Sequence, residues 1–208
     1  MTKSSNNIKI ITAIISALFA LMTFVTLFLP AFRHQLADNP DVGSGEFKVG
    51  DIIKGGLYDY ENDEKDEISG ELIKYEKLSL KAQEYYELFI LLSDNRLGSI
   101  FAVCLMLTLI CALLMFASSL VAFGSGPDAF WLKMIIALLH LAFTVTAIVL
   151  LGPLGELVSN DIFHLLNFTV VMDVALIVLL VSSVGFMCSI LLGKILSGEK
   201  LFKAKAKK

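Results

Sequence analysis

The side chains equipped for acid–base or ligand chemistry are few and widely separated. His140 lies within an unbroken apolar run, followed by Thr144 and Thr146. An imidazole at membrane depth can relay protons or hold a metal, but both tasks need a second titratable or ligating group at the same level. The sequence supplies none, so hydrogen bonding to Ser182 or Ser183 is the expectation for His140. Asp173 stands at the outer edge of the last apolar run, nine residues after His164, and is expected to stay hydrated there. Its functional reading is gating or attraction of ions. Glu156, Asp161 and His164 share one short polar segment; their spacings of five and three residues allow a metal site, yet all three are equally natural in a solvated loop. The run ENDEKDE at 61–67, with Asp59, Glu61, Asp63, Glu64, Asp66 and Glu67, is rich in oxygen ligands. A calcium loop of the EF-hand type needs Gly at its sixth position and Glu at its twelfth, and no register provides both. The expectation is a solvated acidic loop that meets a partner. No residue is assigned to catalysis, a cofactor or a metal, and no nucleotide loop, nucleophile elbow or haem motif occurs.

The elements that carry these residues are set by hydropathy. The chain has 208 residues, 56% of them hydrophobic and 18% charged, with a mean hydropathy of +0.76. Average soluble domains carry roughly a quarter charged residues. The apolar residues collect into four blocks, 10–32, 100–123, 131–151 and 170–193. Each reaches the ~20 residues that a helix needs to cross ~30 Å of hydrocarbon. Uniformly apolar blocks lack the alternation of barrel strands, so each is read as a transmembrane helix. The fold class expected is therefore an all-α membrane protein, a four-helix bundle with an outer region between the first two helices. The first block is longer than the apolar core of a signal peptide and no A-x-A site follows it, which favours an uncleaved anchor.

Charge sets the orientation. The N-terminal segment 1–9 and the tail 194–208 are basic, the latter with six lysines, whereas the segment 152–169 has no Lys or Arg. The positive-inside rule then places both termini in the cytoplasm, with a short inner loop at 124–130. Residues 33–99 become one long outer loop with eight bases and fifteen acids, a net charge of −7. Within it, EFKVGDIIKGGLYDY at 46–60 suggests a short β-ribbon, and SLKAQEYYELFILL at 79–92 a surface helix. The lysine tail is a candidate for contact with anionic lipid.

Small residues mark helix faces that allow close approach. Gly185, Ser189 and Gly193 recur at four-residue spacing in the last block, and Ala13, Ser16, Ala17 and Ala20 line the first. Packing of these two faces closes a four-helix bundle; the same faces also suit oligomerisation.

In layout alone the chain resembles claudin-like proteins, tetraspanins and innexin-like channels. The W…GLW…C…C pattern, the CCG motif and the paired outer cysteines of these families are absent, because the one tryptophan is Trp131 and Cys104, Cys111 and Cys188 all fall within apolar blocks. The resemblance therefore assigns no family. An exterior without disulfides, a short N-terminus and a lysine-rich tail fit a bacterial plasma-membrane protein. The functional expectation is a non-enzymatic accessory or scaffolding subunit that works with other membrane proteins or with copies of itself. The alternative is a subunit of an oligomeric channel or transporter, and the third is a membrane-embedded enzyme. No basic, aromatic-rich surface points to nucleic acid.

Overall fold

The structure is a computed structural model, and it describes residues 3–36, 45–57, 96–123, 130–161 and 168–197. It is mostly helical, with four helices long and apolar enough to cross a membrane. They are α1 (Lys3–Val25), α3 (Arg96–Phe123), α4 (Phe130–Asp161) and α5 (Val174–Leu196); the short α2 spans Val49–Leu57. The strands are β1 (Pro30–Leu36), β2 (Gly45–Lys48) and β3 (Phe168–Met172).

The long helices form a ring in chain order. α1 packs on α3 and α5, α4 packs on the same two, and α1 faces α4 across the axis. Large apolar side chains such as Leu18, Leu113, Leu139 and Val181 stay exposed on the outside of the ring. The inside holds two apolar clusters. One, toward the β-strands, includes Phe32, Phe101, Leu105, Ala147 and Leu179. The other, toward the opposite end, includes Ala20, Cys111, Met115, Ala137 and Phe186.

Several boundaries differ from those read from hydropathy. The first apolar block was expected to be helical through residue 32, but α1 ends at Val25, tightens into a 3₁₀ turn at Thr26–Phe28 and gives way to β1. Pro30 is the cause: it cannot donate to the helix ladder, and it biases the preceding residue to extended backbone, as at Leu29 (φ −97°, ψ 149°). At the last block, residues 170–172 are strand rather than helix, because β-branched residues of FTVVM pair with β1 and Asp173 then caps the helix. In the third, the helix runs past the expected end at 151 to Asp161, through Pro153. That proline removes one ladder bond, to the Val149 carbonyl, and the helix resumes beyond it.

The expected β-ribbon at 46–60 is also corrected. Only Gly45–Lys48 is strand, and Val49–Leu57 is helix despite three glycines. Val49 and Ile52 sit three residues apart and are buried against the strand-end core, and this burial outweighs the poor helix propensity of glycine. Gly50 permits the close approach, since a Cβ there would lie 3.0 Å from the Leu27 carbonyl oxygen.

The sheet has the order β2-β1-β3, antiparallel throughout. It joins the segment after α1 to the segment before α5, so the region assigned to residues 33–99 alone is completed by a strand from 168–172. Phe32 on the central strand lies 5.1 Å from the Phe47 ring and 6.2 Å from that of Phe101 on α3, which seats the sheet on the bundle. Phe32→Ala should lower stability by about 3–5 kcal/mol, the usual effect of emptying a buried aromatic site. Thermal unfolding in detergent should show the loss, and Phe28→Ala, at a ring 75% exposed, should leave the transition unchanged.

Candidate functional site

Between the two apolar clusters every long helix contributes buried polar side chains: Thr23 from α1, Thr108 from α3, His140 and Thr144 from α4, and Ser182 and Ser183 from α5. His140 is fully buried. Its Nδ1 is 2.7 Å from Ser183 Oγ, and its Nε2 is 3.4 Å from Thr23 Oγ1 on the far side of the axis. The Ser183 hydroxyl lies 2.8 Å from the Leu179 carbonyl and 3.2 Å from Thr144 Oγ1. A hydroxyl has one proton to give, and these distances favour donation to Leu179. His140 Nδ1–H then donates to Ser183, leaving Nε2 as an acceptor that shares the single Thr23 hydroxyl proton with the Phe19 carbonyl, 3.1 Å from Thr23 Oγ1; this tautomer is assigned from the network. Thr144 donates to the His140 carbonyl at 2.8 Å, and Thr108 donates to that of Cys104 at 2.9 Å. The His140 ring also meets Phe186 edge-on, with centroids 5.0 Å apart.

The two serines named as alternative partners are thus separated by the helix turn. Ser183 bonds His140, whereas Ser182 Oγ is buried with no hydrogen-bond partner. Thr23 and Thr108 were not singled out in the sequence, since threonine is ordinary in apolar helices and only the fold brings these two to the level of His140.

The small-residue faces of α1 and α5 lie against each other. Ser16 Oγ and Ser189 Oγ are 2.7 Å apart. Ala13 and Ala20 are buried, and Ala17 is half-buried. A Cβ at Gly185 would fall 2.4 Å from the Phe19 ring, and one at Gly193 would fall 2.9 Å from Thr12 Oγ1. These glycines therefore set how near the two helices can come. Small side chains and interhelical hydroxyl bonds are how helices associate where no hydrophobic force separates protein from solvent.

Asp173 occupies a different environment from the one expected. It is only 5% exposed, and Arg33 Nε on β1 lies 3.0 Å from its Oδ2. Its Oδ1 accepts from the Val174 amide at 2.7 Å, capping α5, while its own amide donates to the Ala31 carbonyl at 2.9 Å. This bond extends the regular β1–β3 register, in which Phe32 faces Met172, by one residue pair. The pair thus locks the first strand to the start of the last helix.

Glu156 and Asp161 fall within α4, but their side chains, and His164, lie outside the described residues, as do Asp59, Glu61, Asp63, Glu64, Asp66 and Glu67, the segment 79–92 and the tail beyond residue 197. Among the described residues no three His, Cys, Asp or Glu side chains gather as metal ligands would. Compared with known proteins, the chain matches no family model, and neither a curated protein nor a solved structure is significantly similar to it.

The asymmetry between adjacent serines gives a direct test. Ser183→Ala leaves His140 Nδ1 buried without its partner and should destabilise the bundle by about 1–3 kcal/mol. Ser182→Ala removes a hydroxyl that has no partner and should be neutral or stabilising. Thermal unfolding of the two variants in one detergent should order them so.

Proposed function

We propose that this chain is a four-pass integral membrane protein of a bacterial plasma membrane that acts by association, as an accessory or scaffolding subunit. Both termini lie in the cytoplasm on this reading, and the sheet stands on the outer surface. A bilayer covers the exposed apolar side chains of the ring, which an aqueous setting would leave unmatched. The partner is another membrane protein or a second copy of the chain, met through the acidic loop.

The observation that carries the reading is the fastening of the sheet to the bundle. Phe32, Phe47 and Phe101 bury it on α3, and Arg33 and Asp173 tie it to α5. α2 packs on α3, and the acids from Asp59 to Glu67 follow directly on its last residue, Leu57. A loop mounted on a fixed base loses less conformational freedom when it binds than one on a free strand, so affinity is gained without extra contact. The bundle axis itself is filled by His140, Thr23, Phe186 and Met115, all fully buried, which supports a structural post rather than a path through a single copy. Asp173 is held by Arg33 and a helix amide, and this engagement supports a fastening role over ion attraction.

A photo-crosslinking residue placed at Asn62 in cells should form an adduct with an unlike membrane protein. Exchange of Asp59, Glu61, Asp63, Glu64, Asp66 and Glu67 for Asn and Gln should abolish that adduct while leaving thermal unfolding unchanged. An adduct that persists after the exchange refutes the acidic loop as the contact. Adducts with the chain itself alone, in ring-sized multiples, favour the oligomeric channel reading.

A further inference from the structure

Two polar atoms at the centre of the bundle are poorly met. Ser182 Oγ is sealed from solvent without a hydrogen-bond partner. Other buried hydroxyls of the bundle, those of Thr108, Thr144 and Ser183, bond back to a carbonyl one turn earlier on their own helix, and that of Ser182 does not. His140 Nε2 faces the Thr23 hydroxyl at 3.4 Å, and that hydroxyl shares its one proton with the Phe19 carbonyl, 3.1 Å away.

The seam between α1 and α5 places Ser182 opposite Thr23. The two helices run antiparallel along it: a Cβ at Gly193 would meet Thr12, Ser16 bonds Ser189, and a Cβ at Gly185 would meet the Phe19 ring. Thr23 follows Ser16 by seven residues, and Ser182 precedes Ser189 by seven. Seven residues are close to two turns of helix, so these steps keep the same faces together. Thr23 and Ser182 are thus the next rung of the ladder that Ser16 and Ser189 begin. Ser183, one residue on, is turned by about 100° and bonds His140 instead.

Threonine in a helix divides between two χ1 rotamers, because its hydroxyl reaches the carbonyl of either the third or the fourth preceding residue. Thr23 uses the fourth, Phe19. Turning to the third, Ala20, swings the hydroxyl away from His140 by one staggered step, about 120°. We propose that Thr23 is a two-position switch: its hydroxyl faces His140 in one rotamer, as in this structure, and Ser182 in the other, tying α1 in turn to α4 and to α5. Each position leaves one buried polar atom unmet, Ser182 Oγ in the first and His140 Nε2 in the second. Interhelical hydrogen bonds in a membrane setting are weak, so the exchange of one for the other keeps the two populations within about threefold. His140 holds its bond to Ser183 in both positions. The switch stands on the helices that β1 and β3 join at the sheet end, which gives the outer surface a two-state element to bias. It rests on the packing of the bundle and not on the proposed partner.

Nitrogen NMR of the histidine-labelled chain in detergent tests it, with the His140 ring resonances assigned by their loss in His140→Gln. An unprotonated ring nitrogen resonates upfield when it accepts a hydrogen bond, so Nε2 should lie between its bonded and free positions in the unsubstituted chain. Ser182→Ala removes the competing position and should shift Nε2 upfield. Thr23→Val keeps the shape of the side chain, removes the hydroxyl and should shift Nε2 downfield. Nδ1 should stay in place in both variants. The three-bond couplings to the Thr23 methyl should pass from averaged values in the unsubstituted chain to those of a single rotamer in Ser182→Ala. An Nε2 resonance that Ser182→Ala leaves in place overturns the switch, and so does a single Thr23 rotamer in the unsubstituted chain. An Nε2 resonance that moves while the Thr23 couplings stay fixed overturns it in favour of an ordered water between Ser182 and His140.

Discussion

A polar side chain sealed inside a helical bundle must find its hydrogen bonds among the other helices, and His140 is the residue on which that constraint falls hardest. One nitrogen is met by Ser183 on a neighbouring helix and the other faces Thr23 across the axis. Apolar surfaces alone tolerate sliding and rotation, because one leucine contact is much like another. A ring with two nitrogens at fixed angles does not. The layer of Thr23, His140, Thr144 and Ser183 therefore sets register where the apolar clusters on either side supply bulk. Individual interhelical hydrogen bonds contribute little, about 0.6 kcal/mol on average in a membrane setting. Their contribution here is specificity, and the close α1–α5 approach at Gly185, Ser16 and Ser189 completes it.

With register fixed at mid-height, the two ends are free to differ. At one, the three-stranded sheet links the segments that follow α1 and precede α5, so the helices neighbouring each other in the ring are joined twice, once by packing and once through β1 and β3. Arg33 and Asp173 sit at that junction, and the carboxylate also caps the helix that follows. At the other end the described residues form no strand, and Lys9, Lys133 and Lys194 sit on three different helices. The proposed partner contact follows this division and belongs to the sheet end.

How much of this was legible in the sequence depends on the kind of signal each residue carries. The four long helices could be read from composition, because a run of some twenty apolar residues has few other fates. Their ends could not. Hydropathy does not distinguish Val170–Val171–Met172 in a strand from the same residues in a helix, and Pro30, which stops α1 by its backbone chemistry, leaves the apolar run around it unbroken. The stretch from Val49 was read as strand from its β-branched residues and glycines, whereas the position of Val49 and Ile52 over the core decides for helix. That Ser182 and Ser183 both lay within reach of His140 was visible; which of them faces it is a matter of one residue's rotation, about 100° around the helix. Arg33 and Asp173 are 140 residues apart in sequence, and nothing local signals their pairing.

The claim that the His140 layer fixes the register of the bundle is tested most directly by a disulfide between α1 and α5. With Cys104, Cys111 and Cys188 replaced by Ala, Ser16→Cys and Ser189→Cys should crosslink efficiently on oxidation in native membranes. The same pair should crosslink poorly once His140 is exchanged for Leu. Equal crosslinking in both backgrounds would contradict the account, since the helices would then keep their alignment without the polar layer.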